Sequence, residues 1–207
     1  MTSMHSAHRQ PAIDASTGAL TGAVKRLHGW LLPDQPQVGW TPYLWLIYLG
    51  FFYMKYLFAE PLPGEPVAVV LATALFLYLY FTGYWRTGPD LLFNIAAITV
   101  IGIAMAPINY GASVFFIYAG AFIPYMTSGT RVWWSLLALL ATIAAVAVWL
   151  QPSPAFWGPA AVITTLITLA NHHFATVERQ NQAIRRSQAE VERMAQVAER
   201  ERIARDL

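Results

Sequence analysis

Long apolar runs separated by short polar breaks fill the chain from Tyr43 to Phe174. The runs are roughly Tyr43 to Phe58, Val67 to Tyr84, Leu91 to Ile108, Ala112 to Met126, Val132 to Leu150 and Phe156 to Phe174. Most approach the length that a helix needs to cross a hydrocarbon layer. The breaks carry turn chemistry: Glu60-Pro61-Leu62-Pro63-Gly64-Glu65-Pro66, Arg86-Thr87-Gly88-Pro89-Asp90, Pro107-Ile108-Asn109-Tyr110-Gly111, Thr127-Ser128-Gly129-Thr130-Arg131 and Gln151-Pro152-Ser153-Pro154. Connections this short make successive helices antiparallel neighbours. The pattern therefore predicts an all-α polytopic membrane protein with six transmembrane helices, spanning residues 43–174.

On either side the pattern changes. Residues 1–42 form a polar N-terminal segment in which Leu20, Val24, Leu27 and Leu31 recur at helical spacing beside Lys25, Arg26 and Trp30. That suits either a helix lying on a membrane surface or a solvated leader. After Phe174 the chain turns charged, with seven Arg and six acidic residues from Ala175 onward. Between Tyr43 and Phe174 the charged residues are Lys55, Glu60, Glu65, Arg86, Asp90 and Arg131. The 57% apolar content is thus concentrated in the body and the charge at the ends. Although the pI is near 9.0, the basic residues flank apolar runs and form no separate patch, so they read as topology signals and not as a nucleic-acid surface. In a strictly alternating arrangement Lys25, Arg26, Arg86, Arg131, Arg179, Arg185 and Arg186 fall on one side, which predicts cytoplasmic termini. The absence of cysteine excludes disulfides, thiolate catalysis and Cys-based metal sites, and no secretory signal peptide is visible.

From Thr176 to Leu207 there is neither Gly nor Pro, so the sixth helix is expected to continue into the tail. Val177, Ile184, Val191 and Ala198 repeat at heptad spacing. The companion positions Gln180, Ser187, Met194 and Glu201 are mostly polar, so the predicted coiled-coil seam is weak. A solvated single helix is the other reading. The apolar phase then shifts to Ile203 and Leu207, as entry into a broader helical bundle requires.

The closing residues, Glu199-Arg200-Glu201-Arg202-Ile203-Ala204-Arg205-Asp206-Leu207, resemble the start of the dimerisation and phosphotransfer helix of DesK-type bacterial sensor histidine kinases. The resemblance by motif covers only these residues; elsewhere it is one of architecture. It implies that residues 175–198 are a signalling helix, that 199–207 begin the phosphotransfer helix, and that a phospho-accepting His follows Leu207. The implied full-length protein is an ATP-dependent protein-histidine kinase, homodimeric, multi-pass in the bacterial inner membrane. It would use ATP and Mg, contact membrane lipids and phosphorylate a cytoplasmic response regulator, with no direct nucleic-acid contact. These 207 residues hold no expected catalytic, cofactor or metal site and no ATP-binding segment, and alone are expected to be inactive.

Some residues within the apolar body invite a role. Lys55, the basic residue inside a predicted span, is either an interfacial anchor or, as the resemblance implies, a buoy that registers bilayer thickness. The fourth run is short and contains Pro124, which removes a helix hydrogen bond; mismatch with the lipid or shelter by neighbouring helices both account for it. Thr164, Thr168 and Asn171 share a face of the sixth run and suit either a dimer seam or packing inside one bundle. Ala138, Thr142 and Ala145 are small enough for close helix approach. His172 and His173 point about 100° apart on a helix and cannot chelate one metal from one face. Asn94, Asn109 and Asp90 read as interfacial or turn groups. The alternative function, a small transporter or membrane enzyme with a helical tail, would call for charged groups at mid-membrane or clustered His, Asp or Glu, which the runs lack.

Overall fold

Apolar runs bounded by Pro and Gly fold into helices with short turns in a computed structural model that describes residues 22, 24–33, 39–151 and 154–206, without the side chains of 154–156, 199, 201 and 203–206. Every regular element among the described residues is helical. After a short helix α1 (residues 24–31), the first apolar run alternates α2 (Thr41–Trp45), a 3₁₀ turn (Leu46–Leu49), α3 (Gly50–Tyr53) and a second 3₁₀ turn (Met54–Leu57). Then come α4 (Glu65–Gly83), a 3₁₀ turn (Gly88–Asp90), α5 (Leu91–Met105), a 3₁₀ turn (Tyr110–Ser113), α6 (Val114–Met126), α7 (Thr130–Leu150) and α8 (Pro154–Asp206).

Four helical stretches are long and apolar enough to cross a membrane: Glu65–Gly83, Gly88–Met105, Thr130–Leu150 and Trp157–Ala198. Of the six runs expected to span, four lie on these helices; the fourth run lies in a shorter apolar helix, Tyr110–Met126, and the first is a composite of short helical pieces. The composite has a physical logic. Its 3₁₀ parts rise about 2.0 Å per residue against about 1.5 Å for α, so Thr41 to Leu57 reaches roughly 30 Å, farther than an unbroken α-helix of that length. Carbonyls in it accept hydrogen bonds from side chains of other elements: Pro42 from Tyr80 at 2.8 Å, Trp45 from Tyr118 at 2.8 Å and Phe52 from Asn109 at 2.7 Å.

Those contacts also establish direction. Lys55 meets Glu65, Tyr53 meets Thr73 and Pro42 meets Tyr80, so the first segment and α4 run antiparallel. Phe76 packs on Phe115 and Tyr84 on Phe122, so α4 and α6 run parallel. Gly120, Ala121 and Pro124 meet Thr168, Asn171 and Arg179 in step, making α6 and α8 parallel as well. The segments therefore alternate through the fold. Arg86, Arg131 and Arg179 gather at one end; Lys55 and Glu65 lie at the other.

The centre of this arrangement is α6. Val114 through Gly120 and Phe122 through Pro124 are all buried, as a helix apolar on every side requires. Its neighbours enclose it, whereas the longer helices leave many apolar side chains exposed. Aromatic rings from Phe52, Phe76, Tyr80, Phe115, Tyr118 and Phe122 interlock around it. Trp157 is buried against Phe116. At the Arg end α1 docks by the Leu31 carbonyl, which accepts from Trp85 Nε1 at 3.1 Å, and by His28 against Tyr43. Val24 and Leu27 are exposed, while Leu20 lies outside the described residues.

Candidate functional site

Pro124 has no amide hydrogen, so the carbonyl of Gly120, one turn earlier, loses its helical donor. Thr168 of α8 supplies a replacement, its Oγ1 donating to that oxygen at 3.0 Å. The approach is close enough that a β-carbon on Gly120 would lie 2.7 Å from Thr164 Cγ2 and 2.8 Å from Thr168 Oγ1. Further along, Asn171 Nδ2 donates to the Ala121 carbonyl at 3.0 Å, and Arg179 NH2 donates to the Pro124 carbonyl at 2.6 Å and the Thr127 carbonyl at 3.4 Å. Thr164 and Thr168 are both buried. The polar stripe of the sixth run is therefore occupied inside the chain, clamping α8 to α6. Thr164 Oγ1 has no hydrogen-bond partner among the described residues.

Beyond Arg179, α8 continues as the same uninterrupted helix to Asp206. Val177, Ile184 and Val191 are exposed, as is Ala198, so the heptad positions present a free apolar stripe in the single chain. The clamp and this stripe share one rod. Sliding of α6 along its axis without α8 would break the hydrogen bonds at Thr168, Asn171 and Arg179.

At the opposite end, Lys55 is not a free ammonium. Its Nζ lies 2.6 Å from Glu65 Oε1 and donates to the Ile108 carbonyl at 2.9 Å. Tyr56 also donates to Glu65 Oε1 at 2.6 Å, and the Leu62 amide donates to Oε2 at 2.8 Å. The Glu65 side chain is 1% exposed and that of Lys55 25%, so the carboxylate is desolvated and almost fully paired. Asn109 completes this end: its Oδ1 accepts from the Gly111 amide at 2.9 Å, while its Nδ2 bonds Phe52. Gly111 sits so close to the first segment that a β-carbon would be 2.5 Å from the Phe51 carbonyl oxygen. The cluster ties the first segment, α4 and the turn before α6 together.

Three residues play parts that the sequence did not disclose. Glu65 is read there as a loop residue and is the buried partner of Lys55. Asn94, read as an interfacial or turn group, is wholly buried within α5; it donates to the Leu79 carbonyl at 2.6 Å and accepts from Arg86 at 2.6 Å. Gly120 became visible only through its neighbours. His172 and His173 face different aromatic rings, Trp133 and Phe174. Thr142 is turned back onto its own helix at the Ala138 carbonyl.

No protein-family model matches the sequence, no curated protein matches it significantly, and no solved structure matches the fold significantly.

Proposed function

We propose that this chain is the membrane sensor region of a DesK-type two-component histidine kinase. In this reading the chain crosses the bacterial inner membrane six times, with both termini cytoplasmic. The four long helices, the stretched first segment and the sheltered α6 supply the crossings. The alternation of segments with Arg86, Arg131 and Arg179 at one end supports the orientation, since basic residues mark the cytoplasmic face.

One observation carries the reading: a 53-residue helix is pinned to the centre of the bundle and then leaves it as an exposed, charged rod. A transporter or membrane enzyme has no evident use for such a rod, whereas a sensor requires one. A change in bilayer thickness or order acts on the bundle, whose short central helix α6 is enclosed by longer neighbours. The clamp at Gly120, Ala121 and Pro124 passes the change to α8. The tails of two chains pair through Val177, Ile184, Val191 and Ala198, and their weak seam is the two-state element that the change biases. The output is ATP- and Mg-dependent autophosphorylation of a His beyond Leu207, followed by transfer to a response regulator.

The test is direct. The gene should encode a His-Asp pair immediately after Leu207 and an ATP-binding domain further on, and the purified full-length protein should incorporate phosphate from ATP at that His. A different continuation, or no incorporation, would remove the kinase reading.

A further inference from the structure

We infer that the groove between Arg86 and Asp90 binds the headgroup of an aminophospholipid, its phosphate on Arg86 and its ammonium on Asp90. The groove holds about 600 Å³ and is lined by Arg86, Pro89, Asp90, Leu92, Phe93 and Ala96. It lies apart from the α6–α8 clamp and from the Lys55 cluster. Its lining carries opposite charges that do not satisfy each other: among the described residues no ion pair joins Arg86 to Asp90. Asp90 precedes α5 without a side-chain hydrogen bond to the helix amides.

Arg86 is held ready. Its NH1 donates to Asn94, and Asn94 is fully buried and fixed by the Leu79 carbonyl and by Thr82 Oγ1 at 3.0 Å. The guanidinium lies over the Phe93 ring, 5.5 Å from its centroid. One edge is thus committed to orientation, leaving the remaining donors for a planar, bidentate contact of the kind phosphate favours. Below the charges, Leu92 and Phe93 are strongly exposed, and with Ala96 they give acyl chains an apolar wall. Charge above and hydrocarbon below select a lipid over a water-soluble phosphate. The Asp90 carboxylate selects a primary ammonium, which donates hydrogen bonds, over a choline, which cannot.

The experiment is native mass spectrometry of the whole chain released from detergent with phosphatidylethanolamine, phosphatidylcholine or phosphatidylglycerol, with water-soluble glycerophosphoethanolamine as competitor. Wild type should retain phosphatidylethanolamine about tenfold over phosphatidylcholine, the value of one charge-assisted hydrogen bond. The soluble competitor should not displace it. Asp90→Asn should level ethanolamine with choline while keeping phosphatidylglycerol, and Arg86→Gln should lose all three. Asp90 is exposed, so its variant decides the matter even where Arg86→Gln fails to fold. Equal retention of ethanolamine and choline by wild type, an unchanged profile in Asp90→Asn, or displacement by the soluble competitor would overturn the assignment.

Discussion

Thr168 donates a hydrogen bond to the carbonyl that Pro124 leaves without a donor, on Gly120 of the neighbouring helix. A defect in α6 is thereby converted into a bond to α8. The bond is specific in position, because the proline creates one acceptor and the glycine admits one close approach.

This coupling has a thermodynamic signature. Thr168→Val should destabilise the protein by about 1–3 kcal/mol, the cost of a buried carbonyl left unpaired. In a Pro124→Ala background α6 regains its own amide donor, and the same substitution should cost about 1 kcal/mol less. Unfolding followed by tryptophan fluorescence in bicelles measures the cycle; strict additivity would mean that the two residues act independently.

Close approach gives a second expectation. Gly120→Ala should cost about 1–3 kcal/mol, since the methyl group meets Thr164 and Thr168 at less than contact distance. Gly50→Ala on α3, where nothing lies within 4 Å and the backbone is helical, should instead stabilise by up to about 1 kcal/mol through helix propensity. Thermal unfolding of the two variants in one detergent compares them directly.

At the other end, Lys55→Leu should cost about 3 kcal/mol by stranding a buried carboxylate. Lys55→Leu combined with Glu65→Gln should recover most of that loss, because the amide keeps hydrogen bonds without the charge. Lys55→Arg should keep the pair. Equal stability of the single and double variants would show that the ion pair is not what holds the first segment to α4.

Much of this was legible in the sequence, and the limits have physical causes. The spacing of Thr164, Thr168 and Asn171 disclosed their shared face, but not what it meets, since the acceptors belong to α6 backbone atoms freed by Pro124. Lys55 stood out in an apolar run. Glu65 did not, because a proline-rich turn disguised it as loop and only the antiparallel return of α4 brings it to the ammonium. Asn94 sits in a helix whose pattern is apolar all round, where one amide carries no periodic signal. The apolar pattern of the first segment does not disclose its division into α and 3₁₀ pieces, and the Tyr80, Tyr118 and Asn109 side chains that bond its carbonyls come from distant parts of the chain.

For the tail, replacing Gln180 and Ser187 with Leu in the full-length protein should strengthen helix pairing, because apolar groups then fill the companion seam positions. On the proposed reading, kinase output should lock in one state whatever the lipid. A doubly substituted protein whose output still follows the lipid would exclude the seam as the two-state element.

On the proposed reading, the most direct measurement is autophosphorylation of the full-length protein in vesicles of short, intermediate and long monounsaturated phospholipids, comparing wild type with Thr168→Val, Asn171→Leu and Arg179→Met combined. If α8 carries the state of the bundle, wild-type output changes about tenfold across the series, equivalent to about 1.4 kcal/mol of bias. The uncoupled variant, folded and active, gives a flat response. A wild-type output indifferent to thickness, or a response that survives loss of the hydrogen bonds of Thr168, Asn171 and Arg179 to α6, would contradict the account.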